Sequence, residues 1–145
     1  MGTRMSPVLI RLLRERKLIR IKPDKKLVMK EINTADSDLQ EARISFDNKK
    51  FKWATIQGYY SMFHSGRALI YSKGFREKSH RSLLKAIRDL YSNEIDPSMF
   101  DDFDDAMDLR EEADYGLTFS EKGASEVITS ADKFLTEVKK VLKID

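Results

Sequence analysis

Residues 51–71, FKWATIQGYYSMFHSGRALIY, are the most aromatic and least charged stretch of the sequence, and they contain no proline. Apolar positions recur in this stretch every three or four residues, which predicts a helix that is buried along most of its length. These positions are Ile56, Tyr59, Phe63, Gly66 and Ile70. A second stripe at the same spacing carries polar tips, namely Trp53, Gln57, Tyr60, His64, Arg67 and Tyr71. A helix with one apolar face and one aromatic, polar face suits the centre of a helical bundle.

Two glycines stand inside this predicted helix, Gly58 and Gly66. Glycine costs about 1 kcal/mol relative to alanine in a helix interior. We therefore expect both glycines to let a neighbouring helix approach closely. The polar stripe has two interpretations. His64 and the tyrosines are either hydrogen-bonded core residues or the lining of a site that meets a partner or ligand.

The composition narrows the class of protein. A chain of 145 residues predicts one domain with a real core. Without cysteine there is no disulfide framework or thiol chemistry, as in a cytoplasmic protein, and two histidines without cysteine argue against a structural zinc site. We expect neither metal nor cofactor. No apolar run approaches the length of a membrane span, so no membrane association is expected.

The net charge of +3 conceals an uneven distribution. Residues 1–30 hold ten Lys and Arg against two acidic residues, whereas residues 94–115 hold ten acidic residues and only Arg110. Such polarity can steer an anionic partner to one face or pair two protomers. Solvated helix faces are the simpler explanation for any single charge.

The rest of the chain also predicts helices. Capping residues followed by helical periodicity mark their starts at Ser6-Pro7, Asp24, Ser79, Asp96-Pro97 and the capping box Thr118–Glu121. Nothing predicts a strand, residues 75–78 read as a basic loop, and Asn48 is the expected left-handed residue after the second helix. The predicted fold is an all-α, up-and-down bundle of four to five helices over residues 24–145.

Residues 1–23 are predicted to form a basic N-terminal arm, with a short amphipathic helix and an extended part that ends at Pro23. Three possibilities stay open for this arm: it docks on the bundle, binds acidic partners or is mobile. If the arm is separate from the core, deleting residues 1–22 leaves the stability of the bundle nearly unchanged.

Arg110 and Asp114 fall in the apolar stripe of the predicted helix over residues 97–115, one turn apart. An unpaired charge buried there would cost several kcal/mol, so the two residues are expected to act together. One interpretation is a stabilising salt bridge. The other is a half-buried arginine at a groove that binds phosphate, with His64 and Arg67 as neighbours.

Several segments together resemble the HEPN domain, and in particular the small stand-alone prokaryotic HEPN proteins, over residues 24–143. The segments are Trp53-Ala54, Tyr59 to Leu69, Gly74, Lys78-Ser79-His80 and Leu109 to Gly116. The resemblance implies a helical bundle that commonly forms homodimers. It also implies a minimal nucleotidyltransferase as partner, since some such pairs are toxin–antitoxin systems in which the HEPN protein is a metal-independent ribonuclease.

The ribonuclease signature of these relatives is an arginine followed four to six residues later by histidine. Arg110 stands where the arginine is expected, but Tyr115 occupies the fifth position after it and no histidine follows. Tyrosine, with an ordinary pKa near 10, is a poor general base at neutral pH. The pair Arg76 and His80 is one residue too closely spaced.

Three functions follow from this pattern. The first is a module that binds nucleotide or RNA phosphate and docks a nucleotidyltransferase. The second is a divergent ribonuclease that uses Arg110 with His64 or His80 supplied across a dimer cleft. The third is a structural helical adaptor. No catalytic residue is assigned, and the candidate ligand-binding residues are Arg110, His64, Arg67, Tyr60, Asp114, Tyr115, Lys78 and His80.

Overall fold

The structure is a computed structural model that describes residues 5–116 and 118–144, and within these ranges the chain forms six helices and one two-stranded sheet. The elements are α1 (Pro7–Arg14), β1 (Leu18–Arg20), α2 (Lys25–Asp47), α3 (Phe51–Ser72), β2 (Phe75–Glu77), α4 (His80–Leu90), α5 (Pro97–Asp114) and α6 (Glu121–Leu142). The predicted all-α bundle is confirmed. No helix in the described part of the chain is long and apolar enough to span a membrane.

Side-chain caps start four helices where the sequence predicts them. Each capping oxygen accepts a hydrogen bond from a backbone amide in the first turn, which satisfies one of the amides that have no partner inside the helix. The caps are Ser6, Asp24, Ser79 and Asp96.

Two details of the predicted helix ends are wrong. The last helix is capped by Ser120, whose hydroxyl accepts from the Gly123 amide at 2.9 Å, and Thr118 lies outside the first turn. Asn48 has a φ of −90° and is therefore not in the left-handed region. The residue with a positive φ, 60°, is Lys49. The turn therefore closes one residue later than the sequence indicates.

The prediction of no strands is also wrong. The predicted loop and the extended part of the arm pair as an antiparallel sheet, in which Leu18, Ile19 and Arg20 stand opposite Glu77, Arg76 and Phe75. Two flanking hydrogen bonds extend the pairing, from the Ile21 amide to the Gly74 carbonyl and from the Lys78 amide to the Lys17 carbonyl. Strands of three residues are too short to leave an alternating pattern in the sequence.

Helix α3 lies at the centre and packs against α2, α4, α5, α6 and β2. Its apolar stripe is buried as predicted. The close approach predicted at Gly58 is present, because a Cβ atom there would lie 2.9 Å from Cγ1 of Val127 on α6. At Gly66 a Cβ atom would meet Ile87, Leu83 and Phe103 at 3.3 Å each. Glycine at these positions lets α3 sit inside the bundle.

The described part of the arm docks on the bundle. Leu9 and Leu12 of α1 are buried against the face of α4, and Leu18 of β1 is buried in the same core cluster. The hydroxyl of Ser6 also donates to the carboxylate of Asp89 on α4 at 2.5 Å. The expectation that removing the arm leaves stability unchanged therefore does not hold, while a domain boundary near residue 23 stays a prediction.

We predict that Gly58→Ala destabilises the protein by about 1–3 kcal/mol, because the new methyl group overpacks the contact with Val127. Chemical denaturation measures the change. Combining Gly58→Ala with Val127→Ala should cost less than the sum of the two single changes, since the second change removes the atom that the first one meets. Additive costs would contradict this account of the contact.

Leu9→Ala is expected to lower the free energy of unfolding by about 2–5 kcal/mol, as for other buried leucines. Ile10→Ala is the matched control, because Ile10 is 42% exposed on the same helix. Thermal melts of the two variants test whether α1 belongs to the core. Equal and small losses would show that the arm contributes little.

Candidate functional site

Arg110 lies near the end of α5 with its side chain only 16% exposed. Its guanidinium carbon is 5.0 Å from the ring centroid of Tyr59 and 6.0 Å from that of Tyr60, which are cation–π contacts. Nη1 donates to Oδ2 of Asp114 at 2.9 Å, and the buried Nε has no hydrogen-bond partner among the described residues. Arg110 thus keeps donor capacity that the protein does not use.

His80 is the first residue of α4 and lies beside the same tyrosine. Its Nδ1 is 2.5 Å from the hydroxyl oxygen of Tyr59, and its ring stacks on Phe63 with centroids 4.2 Å apart. The ring of Tyr60 approaches it edge-on at 6.0 Å. The fold therefore brings His80 and Arg110 into contact with one residue, Tyr59, from two different helices.

The electrostatics of this cluster determine where the protons are. Burial raises the pKa of Tyr59 well above its ordinary value, although Arg110 opposes the rise, so the hydroxyl stays protonated. Burial lowers the pKa of His80, and the charges of Arg110 and Arg67 lower it further. His80 is therefore neutral at pH 7.

The hydrogen bond between the hydroxyl of Tyr59 and Nδ1 of His80 depends on the tautomer of the imidazole. When the hydroxyl donates to Nδ1, the ring proton of neutral His80 lies on Nε2. Arg110 and Nε2–H of His80 together supply donors that suit an oxyanion.

His64 and Arg67 lie in a second cluster that already contains its counter-charges. Nδ1 of His64 is 2.5 Å from Oε2 of Glu31, and its Nε2 is 3.7 Å from Asp38. Arg67 lies 3.5 Å from Glu31 and 3.2 Å from Glu77. An anion placed here would face these carboxylates. The role of His64 and Arg67 as ligands stays a prediction, and the geometry favours Arg110 and His80.

The remaining predicted residues border the Arg110 cluster. Asp114 is 38% exposed, so its pair with Arg110 lies at the edge of the core and not in the apolar stripe where the sequence placed it. Tyr115 follows the end of α5 and is 78% exposed. Lys78 is exposed in the turn between β2 and α4, two residues before His80.

Sequence reasoning missed three contributors: Tyr59, Glu31 and Glu77. Tyr59 was assigned to the apolar stripe, and its hydroxyl could not be given a partner from the sequence. Glu31 stands three residues after Val28 in the buried stripe of α2 and is itself only 8% exposed. A carboxylate in the buried stripe of a helix is the signal from which the role of Glu31 could have been predicted. Glu77 depends on the unpredicted strand β2.

Within residues 5–116 and 118–144, no three His, Asp or Glu side chains are grouped as they would be to hold a metal ion.

The described residues thus form a small all-α domain in which Arg110 of α5 and His80 of α4 both contact Tyr59 of the central helix. The pattern of the HEPN domain matches residues 28–141. This chain belongs to the HEPN domain family, which confirms the resemblance seen in the sequence.

Three relatives cover most of the chain. Two are proteins of Methanocaldococcus jannaschii that are each named as a putative toxin. They are 32% identical over 115 residues and 30% identical over 122 residues, spanning 77% and 81% of this chain and 86% and 83% of their own lengths. The third is a UPF0332 protein of Archaeoglobus fulgidus, 29% identical over 114 residues, which are 74% of this chain and 89% of the relative.

We predict that Arg110→Gln raises the pKa of His80, because it removes a positive charge that disfavours the imidazolium form. An NMR titration of the two histidines measures the shift. Arg88→Gln is the control, since Arg88 contacts Asp101 and Phe100 on another surface. An unchanged pKa of His80 in the Arg110 variant would show that the two groups do not interact.

Proposed function

We propose that this HEPN domain protein binds the phosphate group of a nucleotide or of RNA through Arg110 and His80. The observation that carries the proposal is the meeting of a mostly buried guanidinium and a neutral imidazole at Tyr59. A guanidinium with unused donors is suited to the bidentate recognition of phosphate.

The pair between Arg110 and Asp114 is compatible with ligand binding. Asp114 stands at the exposed edge, where an ion pair contributes little to stability because water screens it. A bound phosphate would take the place of the Asp114 carboxylate as the acceptor for Arg110. It can accept hydrogen bonds from two or more donors, those of Arg110 and His80. Tyr60 lies beside both donors and offers a ring on which a base can stack.

The relatives favour a place in a toxin–antitoxin-like pair, because two of them carry the name of a toxin. In such a pair this protein is the toxin-like member, and a minimal nucleotidyltransferase is the proposed partner. A homodimer is proposed as well. The support for a dimer is the resemblance to HEPN proteins, which commonly form homodimers.

Metal-independent cleavage of RNA is the second candidate function, and one observation favours it. His80 and Arg110 meet within a single chain, whereas the sequence required a histidine from across a dimer cleft. Arg110 would hold the phosphate, and neutral His80 is in the protonation state of a general base. To accept the 2′-OH proton on Nε2, His80 must be in the tautomer that carries its proton on Nδ1; Nδ1–H then donates a hydrogen bond to the Tyr59 oxygen, and the hydroxyl proton of Tyr59 turns away from the imidazole.

The proposal is tested by replacing Arg110. Arg110→Gln should weaken binding of adenosine monophosphate and of uridine dinucleotide at least tenfold, or about 1.4 kcal/mol. Arg110→Lys should recover only part of the loss, because lysine keeps the charge but not the planar fork. Fluorescence anisotropy and calorimetry measure the affinities.

Arg88→Gln is the matched control for this experiment. Arg88 is also paired with a carboxylate, 3.0 Å from Asp101, and it also lies over an aromatic ring, 5.8 Å from Phe100. Its replacement should leave binding unchanged. Absence of any nucleotide or RNA binding by the wild-type protein, or an unaltered affinity of Arg110→Gln, would reject the proposal and favour a structural adaptor.

A further inference from the structure

Exposed cations gather at the end of the bundle where β1, β2 and the first turn of α2 meet. Antiparallel pairing sets Arg20 opposite Phe75 and Arg76 opposite Ile19, so the two arginines are neighbours along the backbone and their side chains leave opposite faces of the short sheet. The carbonyl of Ile21 and the ring of Pro23 lie against Gly74, which brings the chain before α2 to the end of α3. We name this surface the basic end, and its residues are Arg20, Lys22, Lys25, Lys73, Arg76 and Lys78.

The charge of the basic end is not neutralised by the protein. Among the described residues, none of its six cations lies within 4.0 Å of a carboxylate. The two acidic residues of the same segments are engaged elsewhere, because Asp24 caps α2 and Glu77 faces Arg67. Arg81 on α4 shows the contrast, since it contacts both Asp104 and Asp108.

We propose that the basic end binds the phosphate backbone of a nucleic acid strand whose bound phosphate occupies the Arg110–His80 site. This inference rests on the proposed function and extends it. Lys78 stands two residues before His80, so their Cα atoms are within about 7 Å of each other. Arg110 and His80 bind one phosphate. A nucleotide with a single phosphate would leave none for the six cations of the basic end to bind. The ligand is therefore a polynucleotide.

The composition of the surface favours a nucleic acid over an acidic protein. Within residues 18–28 and 73–80, Leu27 is the only large apolar side chain that is exposed, at 40%. Protein interfaces need an apolar centre, whereas binding to a phosphate backbone is driven by the release of counterions and needs only cations. Arg20, Lys22 and Lys25 also precede residue 28, where the match to the HEPN domain begins. Half of the surface is thus supplied by the segment that this chain adds to the domain.

The test compares uridine oligonucleotides of two and twelve residues. Arg20→Gln, Lys22→Gln and Arg76→Gln are combined in one basic-end variant, which leaves Lys78 beside the phosphate site unchanged. We expect this variant to lose at least tenfold in affinity for the 12-mer and to keep its affinity for the dinucleotide. The slope of log K against log salt concentration should fall by about 2, since each single-strand phosphate contact contributes about 0.7.

A charge-matched control combines Lys85→Gln, Lys133→Gln and Lys140→Gln, three exposed positions away from the basic end. This control should retain the affinity for the 12-mer and its salt slope. Because Arg20 lies over the ring of Phe75, a second variant with only Lys22→Gln and Arg76→Gln leaves that contact intact. Melting curves verify that all variants are folded.

Each other outcome overturns a specific statement. Equal losses in the control and the basic-end variant would show an effect of net charge alone. Competition by polyglutamate at the same charge concentration as the 12-mer would assign the surface to an acidic protein. If dinucleotide binding depends on Arg110 but the basic-end variant binds the 12-mer with wild-type affinity, only this inference fails. If the 12-mer needs the basic end but Arg110→Gln changes nothing, the proposed function fails, and the basic end is an independent polyanion site.

Discussion

Buried polar groups of α3 need polar partners, and this requirement constrains how the surrounding elements pack. Ser61 donates to the carbonyl of Ala35 at 2.8 Å, and Ser65 donates to the carbonyl of Ser61 at 2.9 Å. The longer side chains reach further. His64 and Arg67 contact Glu31 of α2, Arg67 also contacts Glu77 of β2, and Tyr59 contacts His80 of α4. One central helix thereby fixes three neighbouring elements through polar contacts as well as apolar packing.

The position of His80 is set by the start of α4. Ser79 accepts a hydrogen bond from the Ser82 amide at 3.1 Å and so holds His80 as the first helical residue. A helix N-terminus carries partial positive charge, which disfavours a protonated imidazole and favours a bound anion. The same direction follows from Arg110, whose charge lowers the pKa of His80. The helix terminus and Arg110 therefore both favour the neutral form of His80.

The helices and the central arginine were accessible from the sequence because they depend on local spacing. Periodicity identified α3, the capping residues gave four helix starts, and Arg110 stood out as a charge in an apolar stripe. The strands and the partners of the polar stripe were not accessible. Tyr59 and His80 are 21 residues apart, and Glu31 and His64 are 33 residues apart. Such pairs depend on how α2 and α4 rotate against α3, which a single sequence does not specify.

The missing histidine after Arg110 is best understood through the same geometry. A spacing of four to six residues along one helix is a way to place an imidazole next to a guanidinium. In this chain the imidazole comes from α4, and the shared contact is the aromatic side chain of Tyr59. What phosphate chemistry requires is the spatial relation of the two groups, and their order in the chain is secondary. On the proposed function, His80 of α4 takes the place of the histidine that the signature has after Arg110.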